Sequence, residues 1–119
     1  MSLRTHRVTH SSPERQAPVF AALGDETRLI LVARLAQGIP CSLSQLTEGS
    51  HLTRQAIAKH LRVLEDAGIV HSTRSGRESL FKFDPKPLGR VAEQLELWSD
   101  QWDQALSRLK AFVEIEKPE

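Results

Sequence analysis

The chain has 119 residues, with 16 Lys and Arg against 15 Asp and Glu for a formal net charge of +1. Its 39% hydrophobic and 26% charged residues are those of one folded domain and exclude a disordered chain. No apolar run approaches the roughly 18 residues of a membrane span, and no apolar stretch follows the arginines of MSLRTHRVTH as a signal peptide requires.

Residues 1–12 are polar and aperiodic and are expected to form a flexible arm. His6 and His10 stand one helical turn apart, but no third metal ligand is near. Pro13 suits the first turn of a helix, with Ser12 as cap and Glu14 beside the positive helix end. Val19, Phe20 and Leu23 are its apolar positions, and Gly24 ends it. Asp25 caps a second helix with an expected core stripe of Leu29, Ile30, Ala33 and Leu35, closing at Gly38 before Pro40. Arg28 stands at its start, where an ion pair with a neighbouring acid is the expected role. Cys41 is expected in a turn near the surface; as the single cysteine it forbids an intrachain disulfide and suits a reducing cytoplasm. Ser42 or Ser44 begins a short helix carrying Leu43 and Leu46, and Gly49-Ser50-His51 forms a turn.

The next stretch, Leu52 to Gly68, organises the chain. Thr53 is a capping residue, Gly68 a helix stop, and Ile57, Leu61 and Leu64 repeat at i, i+4, i+7 as one apolar stripe. Thr53, Arg54, Gln55, Ala58, Lys59 and Arg62 fall off that stripe. Arg54 and Gln55 are the candidate base contacts, Thr53 a cap or phosphate donor, Ala58 a close approach to a thymine methyl, and Lys59 and Arg62 phosphate contacts. His60, at the edge of the stripe, is expected to bond a neighbouring element. A short helix, a tight turn and a longer basic helix match a helix-turn-helix. Beyond Gly68 the period changes. Residues 69–73 and 79–83 read as two strands around the polar turn Arg74-Ser75-Gly76-Arg77-Glu78, a wing with Arg74 and Arg77 at its tip. Residues 50–83 hold six Lys and Arg against three acids, whereas 84–119 hold five against eight, so the basic patch is local.

From Pro87 to about Glu114 runs one long helical pattern of Leu88, Val91, Ala92, Leu95, Trp98, Trp102, Leu106, Leu109 and Val113. A domain of this size has little core left to cover such a stripe, and a partner helix in a homodimer is the expected cover. The expected interface is Val19, Leu88, Val91, Leu95, Trp98, Trp102, Leu106 and Leu109, with Trp98 and Trp102 as anchors. The fold expected is mainly α with a small β-hairpin: a winged helix-turn-helix of about five helices and a two-stranded wing, dimeric through the terminal helices. Its parts are an arm at 1–12, a DNA-binding domain at 13–84, and a dimerisation helix and tail at 85–119.

At this point the residues resemble a known family. Phe20-Ala21-Ala22-Leu23-Gly24-Asp25-Glu26-Thr27-Arg28-Leu29-Ile30-Leu31 is similar to the opening of ArsR-type winged-helix repressors. Gln55 to Val70 (QAIAKHLRVLEDAGIV) resembles the second block of that family, and Arg77-Glu78 before Leu80-Phe81-Lys82-Phe83 resembles its wing. The likeness covers roughly residues 17–112. It implies a homodimeric repressor bound to an operator on double-stranded DNA near its own promoter, and in many members release on binding a metal. Here the sequence departs. Where relatives carry C-V-C-D-L, this chain has Ser42-Leu43-Ser44-Gln45-Leu46, Cys41 falls one residue early, and the terminal helix has no histidine. The expectation is therefore no metal, no cofactor and an unidentified effector, as in the non-metal branch. The competing expectation is a winged helix that binds protein and not DNA. An enzyme is not expected, since no nucleophile–base pair, phosphate-binding glycine motif or zinc-spaced His/Cys pair occurs.

Overall fold

The structure, a computed structural model, describes residues 13–116. The arm and the His6/His10 pair lie outside the described residues. Among these the order is α1 (Pro13–Leu23), α2 (Glu26–Leu35), β1 (Cys41–Ser42), α3 (Leu43–Glu48), α4 (Arg54–Asp66), β2 (Val70–Ser75), β3 (Glu78–Phe83) and α5 (Lys86–Glu116). The strands form an antiparallel sheet in the order β1-β3-β2. This is a winged helix-turn-helix with one strand more than the sequence pattern reveals. Cys41 pairs with Phe81 and Ser42 with Leu80. Cys41 is thus a buried strand residue and not a surface turn. Two residues are too few to show a period of two, so no pattern marks β1.

The starts of α2, α3 and α4 each follow from a side chain that satisfies an otherwise unpaired backbone N–H. Asp25 Oδ2 accepts from the N–H of Arg28 at 3.0 Å, and Thr53 Oγ1 from that of Ala56 at 3.1 Å. Ser42 and Gln45 form a reciprocal capping box: Gln45 N–H donates to Ser42 Oγ at 3.1 Å, and Ser42 N–H to Gln45 Oε1 at 2.8 Å. The end of α4 is a Schellman turn around Gly68, whose φ of 79° favours glycine. Ile69 N–H donates to Leu64 O at 3.0 Å and Gly68 N–H to Glu65 O at 2.9 Å. Leu64 and Ile69, which this turn brings together, are both fully buried.

The core gathers Ile57, Leu61 and Leu64 of α4 with Val19, Ala22, Leu31, Val32, Leu35, Leu46, Val70, Phe81 and Val91. Burying each large aliphatic side chain contributes about 1.5–3 kcal/mol. The α4 stripe is as its period predicts. That of α2 is not: Leu31, Val32 and Leu35 are buried, while Leu29, Ile30 and Ala33 are exposed. The run LILVARL is apolar on several sides, so periodicity alone cannot choose its inner face. Val19 and Val91 also lie in this core, and Leu88 packs against it. Val19 and Val91, expected at the dimer interface, therefore have little surface left to offer a partner.

Arg28 departs from a direct ion pair: Asp25 feels its charge but accepts its backbone N–H, and the guanidinium is bonded elsewhere. Its Nε donates to Ala22 O at 2.6 Å, and Nη2 to Ala21 O at 3.3 Å, both at the end of α1. Its Nη1 lies 3.3 Å from His60 Nδ1 on α4. His60 is thus bonded to a neighbouring element, as expected, and Asp25 Oδ2 is 3.7 Å from the same nitrogen.

Two carboxylates give the fold a pH dependence. The Arg28 N–H, then the charges of His60 and Arg28, hold Asp25 below its ordinary pKa. The Lys86 N–H and the His71 ring, 2.8 Å away, do the same for Asp84 between the wing and α5. A carboxyl whose folded pKa is depressed adds stability above its unfolded pKa, near 3.9, and loses it as pH falls below. The melting temperature is therefore expected to drop from pH 6 to pH 3. The drop should be shallower in Asp84→Asn, whose amide oxygen can still cap Lys86 but no longer titrates; equal slopes would remove Asp84 from the explanation.

Candidate nucleic-acid interface

The capped start of α4 aims its outer face away from the core. Thr53, Arg54, Gln55, Lys59 and Arg62 are exposed and Ala58 is half-buried, while Ile57, Leu61 and Leu64 on the opposite side are sealed. No acid stands in the first turn of α4. Cationic and amide side chains at a helix end with unpaired N–H groups can meet phosphate oxygens and base edges.

The wing is held beside this helix. Ser72 Oγ donates to Glu65 Oε2 at 2.7 Å, and Asp84 N–H to Ile69 O at 2.8 Å. Cross-strand partners share a face of a sheet. Ser72 with Phe81 and Arg74 with Ser79 therefore lie on the face turned to α4. The turn is tighter than expected: strands run to Ser75 and from Glu78, leaving Gly76 and Arg77 as a two-residue loop. Gly76 has a φ of 66°, as the first position of a type II′ hairpin requires. Arg77 is at the tip as expected. Arg74 is not; it sits within β2.

This places Arg54 of α4, Arg74 of β2 and Arg77 of the turn around one cleft of about 190 Å³, with Ser44, Glu78 and Ser79 also in its walls. Arg54 Nη1 donates to Ser44 Oγ at 2.8 Å. Sequence reasoning passed over Ser44 and Ser79, although the alternation that places Arg74 and Ser79 on one face was readable once the strand pairing is known. The two serines at the family's thiol positions do not fit a soft metal ion. Both oxygens are neutral hydroxyls already accepting hydrogen bonds, Ser42 from Gln45 and Ser44 from Arg54. Among the described residues no cluster of three His, Cys, Asp or Glu side chains could hold an ion.

On α5 the apolar stripe outlives its own domain. Leu95, Trp98, Trp102, Leu106 and Leu109 are 42–64% exposed, as are Leu97, Phe112 and Val113 within the same range. Trp98 stacks on Phe20 of α1 with ring centroids 6.0 Å apart; Trp102 is 64% exposed. No helix among the described residues is long and apolar enough to cross a membrane.

Residues 23–73 match a family model described as a helix-turn-helix domain. The chain is 43% identical over 76 residues to YuzN of Bacillus subtilis, an uncharacterized HTH-type transcriptional regulator, covering 59% of this chain and 83% of the relative. It is 31% identical over 108 residues to the HTH-type transcriptional regulator Rv2034 of Mycobacterium tuberculosis, covering 91% and 94% of the two chains. Among solved structures, an ArsR-like transcriptional regulator from Rhodococcus sp. RHA1 superposes with a TM-score of 0.77 at 38% identity, over 85% of this chain and 92% of that one.

Proposed function

Since the chain belongs to the ArsR-type family of winged helix-turn-helix, DNA-binding transcriptional regulators, we propose that it is a dimeric repressor that lays α4 in the major groove of an operator half-site. The observation that carries this reading is the exposed face Thr53 to Arg62, flanked on the same side by Arg74 and Arg77 of the wing. Gln55 reads a base edge, Ala58 allows close approach, and Lys59 and Arg62 hold backbone. No catalytic reaction is assigned to it. The compartment that suits a DNA reader with one cysteine is the cytoplasm.

Support for the dimer comes from spacing. Leu88, Val91, Leu95, Trp98, Trp102, Ala105, Leu109 and Phe112 alternate steps of three and four, the seam of paired helices. The first two lie against their own core and the rest face outward, apart from half-buried Ala105. Phe112 continues this spacing, whereas Leu106, also expected at the interface, stands one position off it and is likewise exposed. A two-fold pairing along α5 would set two α4 helices at half-sites one or more turns of DNA apart.

Selection of bound fragments from randomised DNA tests the reading, and a palindromic site is the expected result. Equal affinity of the folded dimer for selected and scrambled DNA would sink it. On the selected site, Gln55→Ala is expected to lose about 1–3 kcal/mol of discrimination at one base pair per half-site. Lys59→Ala should instead weaken all sequences alike, lowering the slope of log K against log salt by about 0.9 per protomer.

A further inference from the structure

We propose that the cleft between α4 and the wing is a seat for one backbone phosphate of bound duplex DNA, and that Arg54 grips this phosphate instead of reading a base. This rests on the DNA-binding reading above and reassigns one of its residues. Arg54 stands in the first turn of α4, where a base contact is expected from position alone. Its guanidinium is drawn sideways, to Ser44 of α3 at 2.8 Å, and lines the cleft that Arg74 and Arg77 line from the wing. To reach a base edge it would have to give up Ser44 and leave the cleft. Gln55 and Ala58 carry no such tether and keep the groove-facing role.

The cleft has the chemistry of a phosphodiester site. Three arginines and one acid, Glu78, stand in its walls, a local charge of +2. The Ser44 and Ser79 hydroxyls add neutral donors at the same place. A guanidinium has five N–H donors, so the bond to Ser44 leaves Arg54 four with which to hold oxygens. That bond also fixes the fork beforehand, so less side-chain freedom is lost when an anion arrives. Its volume of about 190 Å³ is several times the 30 Å³ or so that a water occupies, room for a phosphate with its nearest waters. The walls come from α3, α4, all three strands and the turn, so a phosphate held there would fix wing and helix-turn-helix to one point of the backbone.

The test uses the full chain and the operator found by selection. Each phosphate of a half-site is replaced in turn by a neutral methylphosphonate, against wild type, Arg54→Gln and Arg77→Gln. One position per half-site is expected to weaken the wild type about tenfold or more and to weaken Arg54→Gln no further, because the partner charge is already gone. Base preferences should survive Arg54→Gln unchanged. Arg77→Gln, on an exposed turn, should lose the same coupling and keeps the test valid should Arg54→Gln unfold. A relaxed base preference in Arg54→Gln, with no coupled phosphate in either variant, would overturn the proposal and leave the DNA reading intact. Failure of the wild type to bind any DNA would overturn both. Inorganic phosphate is the second arm: if it displaces the operator at matched ionic strength from wild type but not from Arg54→Gln, while no methylphosphonate couples, the cleft takes a free anion and the backbone assignment falls.

Discussion

Trp102→Asp is expected to convert the dimer to a folded monomer at micromolar concentration and to lower operator affinity about a hundredfold or more. Trp102 is 64% exposed on α5, so its loss removes little from the packing of one chain. In a paired helix it becomes an aromatic anchor present twice, once from each protomer. Truncating such an anchor costs about 2 kcal/mol or more. Two copies amount to about 4 kcal/mol, roughly a thousandfold in the dimer dissociation constant, and two carboxylates facing each other in an apolar seam add to that. Operator affinity follows because a monomer forfeits the high effective concentration of the second half-site. Sedimentation equilibrium reads the mass and circular dichroism the fold. A variant that remains dimeric and binds as wild type would show that α5 pairs elsewhere. Trp98 is a poorer choice, since its stack on Phe20 mixes folding with association.

Arg28→Ala should cost about 3 kcal/mol of stability. Arg28 joins three helices: it donates to the Ala21 and Ala22 carbonyls that end α1, starts α2, and meets His60 of α4. A bond from a charged donor contributes about 1.5–3 kcal/mol net. Alanine leaves two carbonyls at a helix end without this donor, and His60 Nδ1 without its guanidinium. Partial exposure lets water recover some of this, which keeps the sum near one strong bond and one weak one. A melting temperature lower by about 10 °C or more is the expected readout. Arg28→Lys should recover only a fraction, because one ammonium cannot reach three acceptors on two helices as a planar fork does. A loss below about 1 kcal/mol in urea unfolding would mean that the α1–α4 packing holds without it.

The parts of this architecture that were legible in the sequence are those with a local cause. Asp25, Ser42 and Thr53 announce helix starts by their own side chains, Gly68 announces a stop, and Ile57, Leu61 and Leu64 form a stripe because only one face of α4 is apolar. What stayed hidden depends on residues far apart in the chain. The inner face of α2 is set by what packs on it, not by LILVARL. β1 exists only because β3 is there to pair with it. Arg28 finds partners six and 32 residues away, and Arg54 is turned by a serine ten residues before it. In the candidate interface, which positions are basic was readable; where each guanidinium is steered was not.

The Schellman turn at Gly68 leaves only Ala67, Gly68 and Ile69 between α4 and β2, and the Glu65–Ser72 bond closes the same corner. Helix and wing therefore cannot slide apart to suit a longer target. With α4 in a major groove, a wing carried on so short an arm falls on the neighbouring minor groove, about half a turn or 5 base pairs along. If two chains pair along α5 as proposed, that pairing would set the gap between the two halves of an operator, while the α4–wing corner would fix the spacing within each half. On that reading, an insertion of one residue at Gly68 would act as a change of measure, moving the phosphates within reach of Arg74 and Arg77 relative to the base pairs that Gln55 and Ala58 meet.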